Sequence, residues 1–231
     1  MRFLKTLVGV LLIPLAIGVA KAFYGEISDV GEHNTFLMME HGVVSYALFH
    51  LLVMRPVYIY VLGHEFVHVL STWVCGGRVE SFRVTPQGGS VVTSKTNIFI
   101  ELSPYFVPIY TMLLAPLFGI LRLVYGDVAD FNSTLLFLVG LTLAFHFIMT
   151  TEVLKMEQSD IAKSGAMLSL IFIFICNLVV IMAVFCPIFH SLSFAEFIKK
   201  SAFHSRDLYV GIYDRGAAGW EYLAEKLNIS Q

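Results

Sequence analysis

Five stretches of this chain are almost free of charge: residues 6–20, 42–74, 97–125, 134–154 and 164–185. A helix of about 20 residues spans the ~30 Å hydrocarbon core of a bilayer, so most of these runs are long enough to cross one. A hydrophobic fraction of 57% with only 14% charged residues lies well outside the soluble range. The expected fold class is all-α integral membrane: a polytopic helical bundle of about five spans, with the lipid bilayer as its first partner. The net charge of −2, without any basic block interleaved with aromatics, argues against nucleic acid as a partner. Cys75, Cys176 and Cys186 are scattered and form no C-x-x-C, so they read as small buried hydrophobes.

Within the second apolar run stands Gly63-His64-Glu65-Phe66-Val67-His68, an H-E-x-x-H pair. Eight His and eleven Glu placed at random in 231 residues would spell this motif in about one chain in 80. On a helix, His64 and His68 are one turn apart and share a face, so two imidazole nitrogens can reach one zinc ion. Glu65 projects beside them, where a carboxylate can take a proton from an attacking water and pass it to a leaving amine. Three titratable groups inside an apolar helix are costly without partners, which makes them a functional-site hypothesis by default.

Residues 1–22 carry Arg2 and Lys5, an apolar run and then Ala20-Lys21-Ala22, a pattern that fits a signal peptide and an uncleaved signal anchor equally. Residues 42–74 would form a helix about 50 Å long, more than the core accommodates, and Arg55-Pro56 is the natural break. His50, 14 residues before His64, lies ~21 Å from it along a helix and cannot share its metal. Cys75-Gly76-Gly77 ends the motif helix. Residues 78–93, two β-prone runs around Pro86-Gln87-Gly88-Gly89, are expected as a short cytoplasmic β-hairpin next to the active site, with an edge suited to pairing with an extended substrate. Arg78, Arg83 and Lys95 against Glu80 give it that sidedness. Residues 97–125 are interrupted by Pro104, Pro108 and Pro116, which free backbone carbonyls. Spans 134–154 and 164–186 complete a membrane-embedded domain over 42–186. Residues 192–231 mix charges with aromatics and are expected as an amphipathic interfacial tail.

A catalytic zinc takes three protein ligands and keeps a fourth position open for water. Asp160, Glu157 and His146 are the candidates on the expected side of the membrane, and Glu101 is a further one. His146 and Asp160 stand 14 residues apart, ~21 Å along a continuous helix, so both cannot serve one ion there. If residues 56–74 cross the core, the metal sits at mid-membrane with His146. If residues 42–62 cross, it sits at the inner surface with Asp160. Spacing does not choose between them.

The run Arg55-Pro56-Val57-Tyr58-Ile59-Tyr60-Val61-Leu62-Gly63-His64-Glu65-Phe66-Val67-His68 is followed by Gly76-Gly77-Arg78-Val79, Gly88-Gly89 and Leu102-Ser103-Pro104-Tyr105-Phe106-Val107-Pro108-Ile109-Tyr110. With Phe145-His146 and Gln158-Ser159-Asp160-Ile161 further on, it resembles a family of membrane zincin metallopeptidases, distant relatives of the site-2-protease-type intramembrane metallopeptidases. The resemblance covers about residues 50–175. It implies a zinc-dependent intramembrane or membrane-surface endopeptidase acting on a membrane protein or peptide. His64, His68 and Asp160 would hold Zn2+ and Glu65 would be catalytic. The N-P-D-G or L-D-G pattern of site-2 proteases around that aspartate is absent. The expected setting is a multi-pass protein of the cell or inner membrane with its active site towards the cytoplasm. The alternative is a non-catalytic membrane protein that uses the same pocket to bind metal or regulate a partner.

Overall fold

Uninterrupted apolar runs become helices here, and proline and glycine set their ends. The computed structural model describes residues 2–28, 30, 33–85, 87–126, 131–155 and 159–226. The chain begins with α1 (Arg2–Ser28), α2 (His33–Leu52) and α3 (Val57–Val74), followed by a hairpin of β1 (Val79–Thr85) and β2 (Gly88–Thr93). Then come α4 (Ile98–Leu102), a 3-10 turn (Ser103–Tyr105) and α5 (Ile109–Tyr125). The remainder is α6 (Phe131–Leu154), α7 (Ser159–Ser164), α8 (Ala166–Phe185) and α9 (Phe194–Lys226).

Among the described residues, α1, α6 and α8 are long and apolar enough to cross a membrane. The segments Ile98–Tyr105 and Ile109–Tyr125, bent by 75° at the break between them, make a fourth candidate if counted as one span. This is fewer than the five expected. The run 42–74 divides at residues 53–56, with Pro56 at the N-cap of α3. The apolar part of α2 left by that break is Phe36–Leu52, and α3 carries the three titratable groups of the motif. The hairpin is present as expected: β1 and β2 pair antiparallel, Thr85 opposite Gly88 and Val79 opposite Thr93.

Two helix assemblies meet around the site. In one, α2 and α6 run side by side in the same direction, with residues 39–42 level with residues 137–141. Glycine permits the approach. A Cβ on Gly42 would meet the Phe137 carbonyl and come within 2.7 Å of the Leu141 nitrogen; one on Gly140 would strike the Met39 carbonyl. Small residues that bring backbones together are the usual means of helix association where no hydrophobic force acts between helices. Near their C-terminal ends, His50 lies 3.2 Å from the Tyr46 hydroxyl and 3.3 Å from Glu152, which also pairs with Arg55 at 3.3 Å. His50 is thus committed to holding α2 on α6.

In the other assembly, α1 packs on α8 and on α9. The C-terminal segment is one continuous helix running antiparallel along α1, with Lys200 paired to the buried Glu26 at 2.6 Å, Ser205 against Gly18, and the Tyr209 hydroxyl donating to the Leu11 carbonyl. Val19, Ala22, Met182, Phe189 and Phe197 form the core between these helices. The three cysteines are half-buried free thiols.

Replacing Gly140 by Leu should lower detergent-phase stability by about 1–3 kcal/mol or more, as overpacking does. The same insertion at Gly119, where a Cβ meets nothing within 4 Å, should leave the melting temperature unchanged. Thermal unfolding of the two variants side by side checks this.

Candidate metal centre

The motif helix is amphipathic in the sense opposite to that of a water-soluble helix. Its outward face is apolar: Tyr58, Ile59, Leu62, Phe66 and Trp73 are exposed. Its inward face carries Glu65, Ser71 and Thr72, all buried, with His64 and His68 half-buried beside them. The rings of His64 and His68 stack edge to face with centroids 5.1 Å apart, the neighbour relation that one helical turn dictates. His64 is further packed by Tyr60 at 5.8 Å and by Tyr105 at 5.1 Å between ring centroids.

The partners for this polar face come from the proline-broken segment. A helix carbonyl normally accepts from the N–H four residues on, and the residue four after Ile100 is Pro104, which has none. The Ile100 carbonyl is therefore open, and His68 Nδ1 donates to it at 2.8 Å. That bond fixes the tautomer and turns Nε2 towards Asp160, 3.6 Å from its Oδ2. Asn97 caps α4 by accepting from the Ile100 N–H at 2.8 Å, so the residue is held from both its backbone groups. After the 3-10 turn, the Ile109 N–H bonds to the Val107 carbonyl and leaves the Tyr105 carbonyl to accept from Asn177 at 3.1 Å. The Tyr105 hydroxyl donates to Asp160 at 3.4 Å.

Asp160 reaches the site because α6 stops at Leu154 and α7 is a separate short helix. A continuous helix from His146 to Asp160 would hold these residues ~21 Å apart, and the break between α6 and α7 removes that constraint. Lys163 stands one turn from Asp160 on α7, 4.0 Å from its Oδ1. Glu101 is placed as an anchor for α7: its carboxylate accepts from Thr96 at 3.1 Å and from the Ser164 hydroxyl. Glu157 lies outside the described residues.

His64, His68 and Asp160 each offer one ligand atom, and these atoms lie within 4.8 Å of one another. A tetrahedral ion bonded at ~2.0–2.1 Å needs its ligand atoms ~3.4 Å apart. The His68–Asp160 pair at 3.6 Å already meets that edge, so the donor set fits a metal ion. His146 is not one of the set. The three residues and Glu65 line a cavity of about 320 Å3, together with Gly89, Ser90, Val91 and Thr93 of β2, Thr96, Ile100, Glu101 and Lys163.

Glu65 is 8% exposed and lies directly under β2. A Cβ on Gly89 would strike the Glu65 Cγ and come within 2.8 Å of its Cδ and Oε1. Only glycine lets the strand lie on the carboxylate. Sequence reasoning placed Gly88-Gly89 in a turn and missed this contact; both glycines belong to β2, and a glycine inside a strand is a sign of close approach. Tyr105 was missed as well, although the spacing Pro104-x-x-x-Pro108 marks a segment whose carbonyls must find other partners.

Compared with protein-family models, with curated proteins and with solved structures, the chain matches none.

Gly89→Ala should displace either Glu65 or the hairpin while the helices stay intact. Helical circular dichroism unchanged, with chemical reactivity of Glu65 towards a carbodiimide raised, is the expected outcome. Metal analysis of the purified chain provides a second check: His64→Ala, His68→Ala and Asp160→Ala should each lose the ion that the wild type retains.

Proposed function

We propose that this chain is a zinc-dependent endopeptidase of the membrane or its surface, cleaving peptide bonds of membrane-associated proteins or peptides. The observation that carries the reading is the convergence of His64, His68 and Asp160 with Glu65 beside one cavity that a β-strand borders. Two imidazoles and one carboxylate form a donor set suited to zinc, and three protein ligands leave a position open. A bound zinc ion supplies Lewis acidity, polarising a carbonyl and making water more acidic.

In this reading Glu65 does the proton work. Its carboxylate takes a proton from the attacking water and returns it to the leaving amine. Gly89 covers it from one side and so limits the water that reaches it. His68, locked by the Ile100 carbonyl, presents Nε2 in a fixed direction, and Tyr105 steadies Asp160. A peptide must be extended before its bond can be attacked, and the backbone of β2 along the cavity offers a strand edge for that purpose.

The setting we propose is a multi-pass protein with this cavity on the cytoplasmic side. The apolar outer face and polar inner face of α3 support placement among lipid and protein rather than water. Arg78, Arg83 and Lys95 on and beside the hairpin support the sidedness.

Glu65→Gln separates catalysis from metal binding. The variant should keep its zinc yet cleave a panel of tagged single-span substrates ~10²–10⁴-fold more slowly than wild type in liposomes. Wild-type cleavage by the variant would remove Glu65 from the mechanism. Stoichiometric zinc with no cleavage by either form would point to the non-catalytic metal-binding protein instead.

A further inference from the structure

His146 is 6% exposed, and its Nε2 has no hydrogen-bond partner among the described residues. The same holds for Nδ1 of His64, also buried. Two orphaned ring nitrogens are a costly feature anywhere in a folded interior. Both rings line one small pocket of about 10 Å3, with Tyr60, Gly63, Pro104 and Tyr110 among its walls. That is room for a single water, which needs two to four polar partners. The backbone of Tyr105 lies beside the other side of the His146 ring.

We infer that His146 is a positioning residue for the metal centre, holding the His64 ring through one bridging water so that Nε2 of His64 faces the ligand cavity. The inference rests on the metal-site reading above. The proton order follows from a carbonyl, which can only accept. The Tyr105 carbonyl takes the Nδ1–H of His146, so Nε2 of His146 carries a lone pair and accepts from the water. The water oxygen in turn accepts the Nδ1–H of His64. Nε2 of His64 is left unprotonated, the form a metal ligand must have. Each ring N–H in this chain meets one acceptor, the water donates one O–H to Nε2 of His146, and the carbonyl at the end prevents reversal.

His146 is thereby distinguished from a ligand. It lies outside the group whose atoms fall within 4.8 Å of one another, and it addresses the pocket side of His64 rather than the cavity side. The arrangement is the familiar one in which the second nitrogen of a metal-binding histidine is held by an outer group. His68 obtains that hold directly from the Ile100 carbonyl; His64 obtains it across the pocket.

The test uses the full chain purified in detergent, stripped of metal and titrated with zinc against a chromophoric chelator, then with Co2+ for its visible spectrum. His146→Leu should weaken zinc affinity ~10–100-fold and alter the Co2+ spectrum. His146→Gln, whose side-chain amide reaches the place of Nε2, should restore affinity to within about threefold of wild type. If the Leu variant fails to fold by circular dichroism, Met takes its place in the comparison. Equal affinity and an unchanged spectrum in the folded Leu or Met variant overturn the inference while leaving the metal site standing. Loss of metal from the Gln variant as complete as from His64→Ala also overturns it, since His146 would then be a ligand. Failure of the wild type to bind either metal overturns both this inference and the reading beneath it.

Discussion

Everything at the site follows from one requirement: polar groups on the buried face of an apolar helix need partners that are not bulk water. Helices are poor suppliers of such partners, because their carbonyls are already engaged with their own N–H groups. The segment after the hairpin escapes this by proline. Pro104 removes the donor that Ile100 would have met, and the bend at Val107-Pro108 frees the Tyr105 carbonyl. Those two carbonyls are the ones His68 and Asn177 use. The interruptions that cost the segment its regular helix are therefore what give the motif helix its fixed geometry. The rest of the surroundings serves the same end: Asn97 caps α4, and Glu101 ties Ser164 and with it α7, so that Asp160 arrives opposite His68.

Much of this was legible in the sequence where a residue type admits one physical meaning. The H-E-x-x-H spacing places His64 and His68 on one face whatever surrounds them. Pro56 breaks the long apolar run where the sequence suggests, and the β-prone runs around residues 86–89 form the hairpin. What was not legible depended on an assumption of continuity. Treating residues 146–160 as one helix sets His146 against Asp160 as rivals. The break after Leu154 instead lets both approach His64, Asp160 on the ligand side and His146 on the pocket side. Glu101 shows a different limit. A carboxylate near a metal motif is a reasonable ligand by chemistry, and only the positions of Thr96 and Ser164 reveal that its oxygens are already in use. The role of Gly89 was hidden for the same reason, since a glycine's meaning lies in what approaches it.

The count of spans has a related explanation. Hydropathy measures how well a segment suits lipid on all its faces, but α3 meets protein on one face and exposes apolar side chains on the other. Each polar group gathered on the inward face lowers the average without altering the outward one. By that measure α3 is not among the described helices long and apolar enough to cross a membrane, while α1, α6 and α8 are. The broken segment α4–α5 is apolar enough when its two parts are taken together and is set apart by its 75° bend.

This makes the inside-out character of α3 more informative than its hydropathy. Trp73, Phe66, Leu62 and Ile59 on one side and Glu65, Thr72 and Ser71 on the other form a pattern that water would reverse. Such a helix is stable only if lipid or another apolar surface covers the first face and protein groups satisfy the second. The second condition is met by named partners: the Ile100 carbonyl for His68, the His68 carbonyl for the hydroxyls of Ser71 and Thr72, and the ring packing of Tyr60 and Tyr105 around His64. Among the described groups of this face, Nδ1 of His64 is a buried ring nitrogen without a hydrogen-bond partner, and the ring lines the pocket it shares with His146.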